Sequence, residues 1–277
     1  DKFYRIGKIY ARSPADSLYF NYFDNVTFLS TVGKNEMEFL GRAGYNVHDN
    51  MAEYLGFNPI LDSLLGIKYV ITEEDIDTLE KINQYKGTVL YGELYDVFKK
   101  DIYVYKNNEA LSLGTVISND LSKCNIKNDD GDRLKYQNQI VNCLTGVDDI
   151  YEKIELEKID DNTYSFTNTK KLDFYSFANI KSDYLTNNKG ITLYINEIKL
   201  SYYSNKDFAI QKFKNDADIG VKFTYKIEGN VKNVKPVSYY FNKEKYEEVF
   251  DKLNKNQLKI SELKNGYIKG NATGENK

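Results

Sequence analysis

The segment from Asn58 to Thr72, NPILDSLLGIKYVIT, constrains this chain more than any other. Asn58 is a natural helix N-cap, and Pro59 suits the first helical position, where its missing N–H has no partner to lose. Gly66 stops the helix, and Ile67–Ile71 is a β-branched run of the kind that forms a buried strand. The flanking sequence has the same mixed texture. RIGKIYAR reads as a strand leading into a turn at Ser13–Pro14, and SLYFNYF is aromatic and β-prone. Asn35–Leu40 is a short helix closed by Gly41 and Gly44. TEEDIDTLEKI reads as a helix capped by Thr72 with acidic residues in its first turn. TVLYGEL and DVFKKDIYVYKN follow as strands, and ALSLGTVIS closes the module. DRLKYQNQIVNCLTG is a helix, with Leu134, Ile140, Val141 and Leu144 near helical spacing and Gly146 as its stop.

From Tyr151 the texture changes to short strands separated by Asn, Asp, Gly and Lys turns at about ten-residue spacing, the pattern of an antiparallel β-sandwich. ITLYIN running into EIKLSYY, with Tyr194, Asn196 and Glu197 at the join, is a hairpin. FNKEKYEEVFDKLNKN is a helix whose apolar stripe is Tyr246, Val249, Phe250 and Leu253. The closing QLKISELKNGYIKGNATGENK repeats the pattern of IELEKIDDNTYSFTNTKK. The expected fold is therefore α+β. A mixed α/β module (1–150) leads to a jelly-roll-like antiparallel β-sandwich (151–242), then a helix and the truncated start of a second β module (243–277).

Charge excludes one class of partner. The 38 basic and 41 acidic side chains leave a net charge of −3, too balanced for bulk nucleic-acid binding. No apolar run reaches the ~20 residues of a membrane helix. The start, DKFYRIGK, is not a signal peptide, and both ends read as cut. Cys124 and Cys143 bracket a loop of about twenty residues. They form either a disulfide, worth about 3 kcal/mol in the loop-entropy model, or two separate thiols. With a single histidine, His48, they make no zinc site.

Catalytic signatures are missing. There is no nucleophile elbow, Walker loop, dinucleotide fingerprint or zinc-helix motif, and one histidine in GYNVHDN supports no triad. Adjacent acids such as Asp148–Asp149 and Asp160–Asp161 do not give the cleft of about 5–10 Å that a glycosidase pair spans. Asp129–Asp130–Gly131–Asp132 lacks the spacing and closing Glu of a calcium loop. No metal or cofactor is expected. The residues suited to stacking on sugar rings are Tyr202, Tyr203, Tyr239 and Tyr240, although tandem aromatics alternate across a sheet and one of each pair should be core.

FYRIGKIYARSPADSLYFNY, FLST and NPILDSLLGIKYVI, then YKNNEALSLGTVIS, QNQIVNCLTG and QLKISELKNGYIKG, together resemble the extracytoplasmic domain of the YfhO family. These are bacterial polytopic membrane proteins akin to GT-C glycosyltransferases. The resemblance implies membrane helices before and after this domain, and a place on the outer face of a Gram-positive membrane. It also implies a polyprenyl-phosphate sugar donor and an acceptor such as lipoteichoic acid. The family's acidic catalytic loop has no counterpart here, so no catalytic residue is carried over. Asn108–Glu109 and Cys143 depart from the family pattern. Arg5, Arg12 and Asn21 would face a lipid phosphate or glycan, since Arg binds phosphate bidentately. On this view the domain positions an acceptor or caps the membrane site, with its own membrane helices as partners. The rival readings are a non-enzymatic carbohydrate-binding or assembly module and a secreted glycosidase.

Overall fold

A computed structural model describes residues 3–9, 16–24, 27–28, 33–48, 50–73, 75–91, 96–117, 121–127, 131–180, 190–203, 210–229 and 234–273. Among them are five α-helices and antiparallel strands in several open sheets, with no closed barrel, so the chain is mixed α+β. Compactness groups the chain otherwise than its texture does. One unit is Asp1–Thr31, Asn50–Leu121 and Glu247–Lys277, and the other is Val32–Asp49 and Ser122–Tyr246.

The first unit contains β1 (Arg5–Lys8), α1 (Asp16–Phe20), β2 (Thr27–Phe28), β4 (Met51–Glu53), α3 (Pro59–Leu64), β5 (Ile67–Thr72), β6 (Glu80–Tyr91) and β7 (Asp96–Lys106). It also holds the end of α5 (Lys243–Lys255), β17 (Lys259–Lys264) and β18 (Tyr267–Asn271). Its main sheet runs β1-β5-β7-β6, parallel at β1–β5 and antiparallel elsewhere.

The corner at α3 explains the opening segment. Asn58 Oδ1 accepts from Leu61 N, while buried Asp62 accepts from Asn58 N at 2.9 Å and from the Tyr54 hydroxyl at 2.6 Å. Gly66 takes φ +70°, and a Cβ there would lie 2.6 Å from the Leu111 carbonyl, so both conformation and space require glycine. Buried Asn107 then ties the corner shut, donating to Ser63 Oγ at 3.0 Å and to the Ile67 carbonyl at 3.1 Å.

Two local expectations fail in this unit. TEEDIDTLEKI is not a helix: Thr72 is buried at the end of β5, residues 77–79 turn, and β6 begins at Glu80. Pairing of β6 with β7, from Glu80↔Lys106 to Tyr91↔Asp96, overrides the capping signals. SLYFNYF is not a strand either. It begins in α1, and Asn21 ends that helix at φ +55°, with Tyr22 N donating to Ser17 O at 3.1 Å. The closing β17–β18 hairpin is tied to residues 112–116, with Ser112 Oγ donating to Leu258 O at 2.9 Å and Val116 N to Asn256 O at 2.9 Å.

The second unit contains α2 (Lys34–Ala43), β3 (Asn46–His48), α4 (Arg133–Thr145), β8 (Tyr151–Lys153), β9 (Glu157–Lys158), β10 (Thr163–Thr167), β11 (Phe174–Ile180) and β12 (Ile191–Ile195). It continues with β13 (Ile198–Tyr203), β14 (Gln211–Phe213), β15 (Lys222–Glu228), β16 (Val234–Phe241) and the first turn of α5. Two wholly antiparallel sheets form, β13-β12-β15-β10-β9 and β14-β11-β16-β8. Both feed one apolar cluster. Tyr164, Phe166, Leu193, Phe223 and Tyr225 come from the first sheet, and Phe174, Ala178 and Tyr240 from the second. Full burial of such side chains is worth roughly 1.5–3 kcal/mol each. Alternation along β15 is strict: Phe223, Tyr225 and Ile227 are buried, while Thr224, Lys226 and Glu228 turn to the other face.

Helix α4 is capped by Asp132, whose Oδ1 accepts from Lys135 N at 3.2 Å, and it ends at Gly146 in the left-handed region. Its Cys143 is bonded to Cys124, with Cα atoms 5.8 Å apart. Gln137, buried on the same helix, donates to the Ala43 carbonyl at the end of α2 at 2.7 Å.

Candidate functional site

The outward face of the five-stranded sheet holds a concavity of about 720 Å³. It is lined by Thr163, Tyr194, Asn196, Glu197, Thr224, Lys226 and Glu228, on β10, β12, its turn and β15. Register brings them together. Tyr194 pairs with Lys226 on one side of β15, Thr163 with Lys226 on the other, and Thr192 with Glu228. Cross-strand partners share a face, so these side chains form one surface opposite the apolar cluster.

The rim is a two-residue turn with both central residues at positive φ, Asn196 at +45° and Glu197 at +70°. Asn tolerates that region, whereas a Glu there is held against its own preference. The restraint comes from β15. Asn196 N donates to Thr224 O at 2.9 Å, and Thr224 N donates to Asn196 Oδ1 at 2.8 Å. Glu197 is thereby fixed at the edge of the concavity.

The floor is a connected polar network. Lys226 Nζ donates to Glu228 Oε1 at 2.8 Å. The Tyr194 hydroxyl lies close to the Glu228 carboxylate and to Thr192. Desolvation, and after it the Glu228 carboxylate, push the Tyr194 hydroxyl above its usual range. The hydrogen bond from Lys226 holds Glu228 below the ordinary carboxylate range. Ser165, opposite Thr224 in the same register, is buried with no hydrogen-bond partner for its hydroxyl among the described residues.

This arrangement offers an aromatic ring held by its hydroxyl, a cation, carboxylates, an amide and two threonine hydroxyls on one curved surface. It suits a polyhydroxylated ligand, whose hydroxyls both donate and accept. The Glu228 carboxylate is held ionised by Lys226, so it is placed to accept from ligand hydroxyls.

Of the residues expected from sequence, Arg5 and Asn21 are described in full. Arg5 is engaged within the first unit. Its guanidinium donates to the Leu65 carbonyl and lies 4.9 Å from the centre of the Phe3 ring. Asn21 is the residue that terminates α1, and Arg12 lies outside the described residues. In backbone register Tyr202 pairs with Thr192 and Tyr203 with Ile191; their side chains, like that of His48, lie outside the described residues.

Tyr239 and Tyr240 are both buried, so neither member of that pair offers a ring to a sugar. Tyr240 packs in the cluster between the sheets and donates to Asn168 Oδ1 at 2.9 Å. Tyr239 donates to Asp132 Oδ2 at 2.7 Å, at the N-cap of α4. The four-stranded sheet is thus covered on both faces, which the alternation argument did not anticipate. Asp132 serves as that cap, Asp129 and Asp130 lie outside the described residues, and no metal-binding cluster occurs among the described ones.

A second polar group lies under α1. Lys8 Nζ pairs with buried Asp16 at 2.7 Å. Asp24 is pushed up to about 6 by burial and by the charge of Asp16, against the opposing effects of a Ser17 hydrogen bond and Arg5. Burial, then Asp24 and Asp16, push Tyr22 to about 12.

Fold and site thus define a mixed α+β domain with a polar concavity on the outward face of its five-stranded sheet. The whole chain, residues 1–277, matches the family described as bacterial membrane protein YfhO, and it belongs to that family. No curated protein and no solved structure matches it. No helix among the described residues is long and apolar enough to cross a membrane.

Proposed function

We propose that this chain is the extracellular domain of a GT-C-like YfhO glycosyltransferase of a Gram-positive envelope, and that it holds the acceptor polymer. The sugar would come from a polyprenyl-phosphate donor at a membrane site outside this chain. Lipoteichoic acid is the acceptor class proposed. The two antiparallel sheets of the second unit serve as the faces of a β-sandwich, and the concavity at Tyr194 grips the glycan. That concavity carries the proposal, because its ring, carboxylates, amide and hydroxyls complement a sugar chain, with ion-paired Glu228 placed to accept from sugar hydroxyls. The bond between Cys124 and Cys143 suits an oxidising compartment, in keeping with the outer face.

The test is a titration of the purified chain with lipoteichoic acid fragments, other wall-polymer fragments and short glycans. Saturable binding is expected, weakened about tenfold (~1.4 kcal/mol) in Tyr194→Ala and unchanged in Arg12→Ala. No binding at millimolar ligand, or a loss in Arg12→Ala with none in Tyr194→Ala, refutes acceptor binding at this surface. Binding without any effect of the domain on transfer by the membrane-embedded parent would favour a non-enzymatic carbohydrate-binding module instead.

A further inference from the structure

Helix α1 and the residues just after it expose a dense apolar group. Leu18 is 75% exposed, Tyr19 83%, Phe20 55% and Phe23 51%, within six consecutive residues. Single exposed apolar residues are ordinary, but four large ones together mark an interaction surface.

The group is held firmly. Its helix is anchored by the ion pair of half-buried Lys8 with buried Asp16, ended by Asn21 in the left-handed region, and tied to β1 by Ile6 N donating to Phe23 O at 2.8 Å. The Phe23 ring sits 4.8 Å from Phe3, and the Tyr19 and Phe20 rings meet edge to face at 5.0 Å. Little conformational freedom remains to be lost on docking.

We propose that the Leu18-Tyr19-Phe20-Phe23 tip inserts into the interfacial layer of a lipid bilayer. Three observations favour lipid over a protein partner. The residue types are those of a membrane interface, with apolar bodies and one phenolic hydroxyl to stay wet. The chain belongs to a family of membrane proteins, so a bilayer lies beside it, yet none of its described helices is long and apolar enough to cross one. The buried acid beneath the tip is also compensated, because Asp16 is paired with Lys8 at 2.7 Å and presents no unpaired charge to the lipid. The tip need not bind tightly by itself, because membrane anchorage elsewhere in a parent protein would supply the effective concentration. The inference rests on family membership and not on the Tyr194 concavity.

The chain contains no tryptophan, so Phe20→Trp makes a single reporter inside the tip, and Ile219→Trp, an exposed site in the second unit, is the control. Each is titrated with phosphatidylcholine–phosphatidylglycerol vesicles at millimolar lipid, with and without brominated acyl chains. Insertion predicts a blue shift and bromine quenching for Phe20→Trp and neither for Ile219→Trp. Adding Leu18→Ser and Phe23→Ser to Phe20→Trp should weaken vesicle binding tenfold or more, with the circular dichroism of the folded chain unchanged. An unshifted Phe20→Trp spectrum overturns the proposal. So does a shift that follows protein concentration without vesicles, which would make a second copy the occupant, or one produced by soluble glycan.

Discussion

Replacing Asp62 with Ala should be among the most costly single changes in the first unit. The carboxyl is fully buried and accepts from two buried donors, the Tyr54 hydroxyl at 2.6 Å and the Asn58 amide at 2.9 Å. Removing it strands both, and each buried donor left unmade costs ~1–3 kcal/mol. The sum is roughly 3–5 kcal/mol, a large part of the ~5–15 kcal/mol that holds an ordinary domain folded. Tyr54→Phe removes only one donor and should cost ~1–2 kcal/mol. In the double variant the hydroxyl is no longer stranded, so the two costs should fall short of additivity by ~1–2 kcal/mol. Urea unfolding followed by circular dichroism measures all four proteins, with an unchanged denaturant slope as the check that one transition is being compared. A cost below ~1 kcal/mol for Asp62→Ala, or strict additivity with Tyr54→Phe, would refute the idea that this carboxyl pins the corner.

Asp24→Asn should stabilise the fold, and only above mildly acidic pH. Its folded value is raised from 3.8 to about 6, so below pH ~4 the carboxyl is protonated both folded and unfolded and exacts no penalty. The penalty for ionising it grows as pH rises through that window and is complete above about 6. A shift of this size corresponds to ~3 kcal/mol at most, and solvent at this partly exposed site reduces it to ~1–2 kcal/mol. Equal unfolding free energies for Asp24→Asn and the parent at pH 7, or the same difference at pH 4, would count against it. Joint replacement of Cys124 and Cys143 by Ser should cost ~2–3 kcal/mol, near the closure entropy of a loop with a sequence separation of 19. The reductant dependence of the parent's melting temperature gives an independent reading, and an unmoved melting temperature would contradict it.

What could be read from the residues alone was whatever local chemistry determines. The Asn58 cap, Pro59, the Gly66 stop and the strand to Thr72 follow from short-range preferences, and so do the Gly146 stop and the buried stripe of α5. Failures occurred where pairing at a distance decides. β6 is exposed on both faces from Lys81 to Lys86, so it shows no period-2 alternation, and Thr72 with the acids after it mimics a helix start. Only the ladder with β7 makes it a strand. SLYFNYF looks like a strand because its aromatics favour one, but these residues are exposed on α1, where no neighbouring strand rewards that preference. The Tyr194 surface was half visible. Its turn was legible, whereas the union of Thr163, Tyr194, Lys226 and Glu228 depends on the register of three strands, one of them about thirty residues further along. Outward Thr-x-Tyr on one strand and Thr-x-Lys-x-Glu on another were the only local signal.

The phrases that most resemble the family serve the fold. In NPILDSLLG the cap Asn58, the pin Asp62, the tie through Ser63 and the left-handed Gly66 are all consumed by one buried corner. The concavity lies between 163 and 228, apart from that corner. Its outward side chains are not needed by the apolar cluster, because Thr224, Lys226 and Glu228 alternate with Phe223, Tyr225 and Ile227. Folding and the proposed binding therefore draw on separate residues of the same strands. Under this division Tyr194→Ala removes ligand binding at little cost in stability, while Asp62→Ala does the reverse. A Tyr194→Ala protein as unstable as Asp62→Ala would mean that the concavity is part of the scaffold, and the proposed acceptor site would lose its foundation.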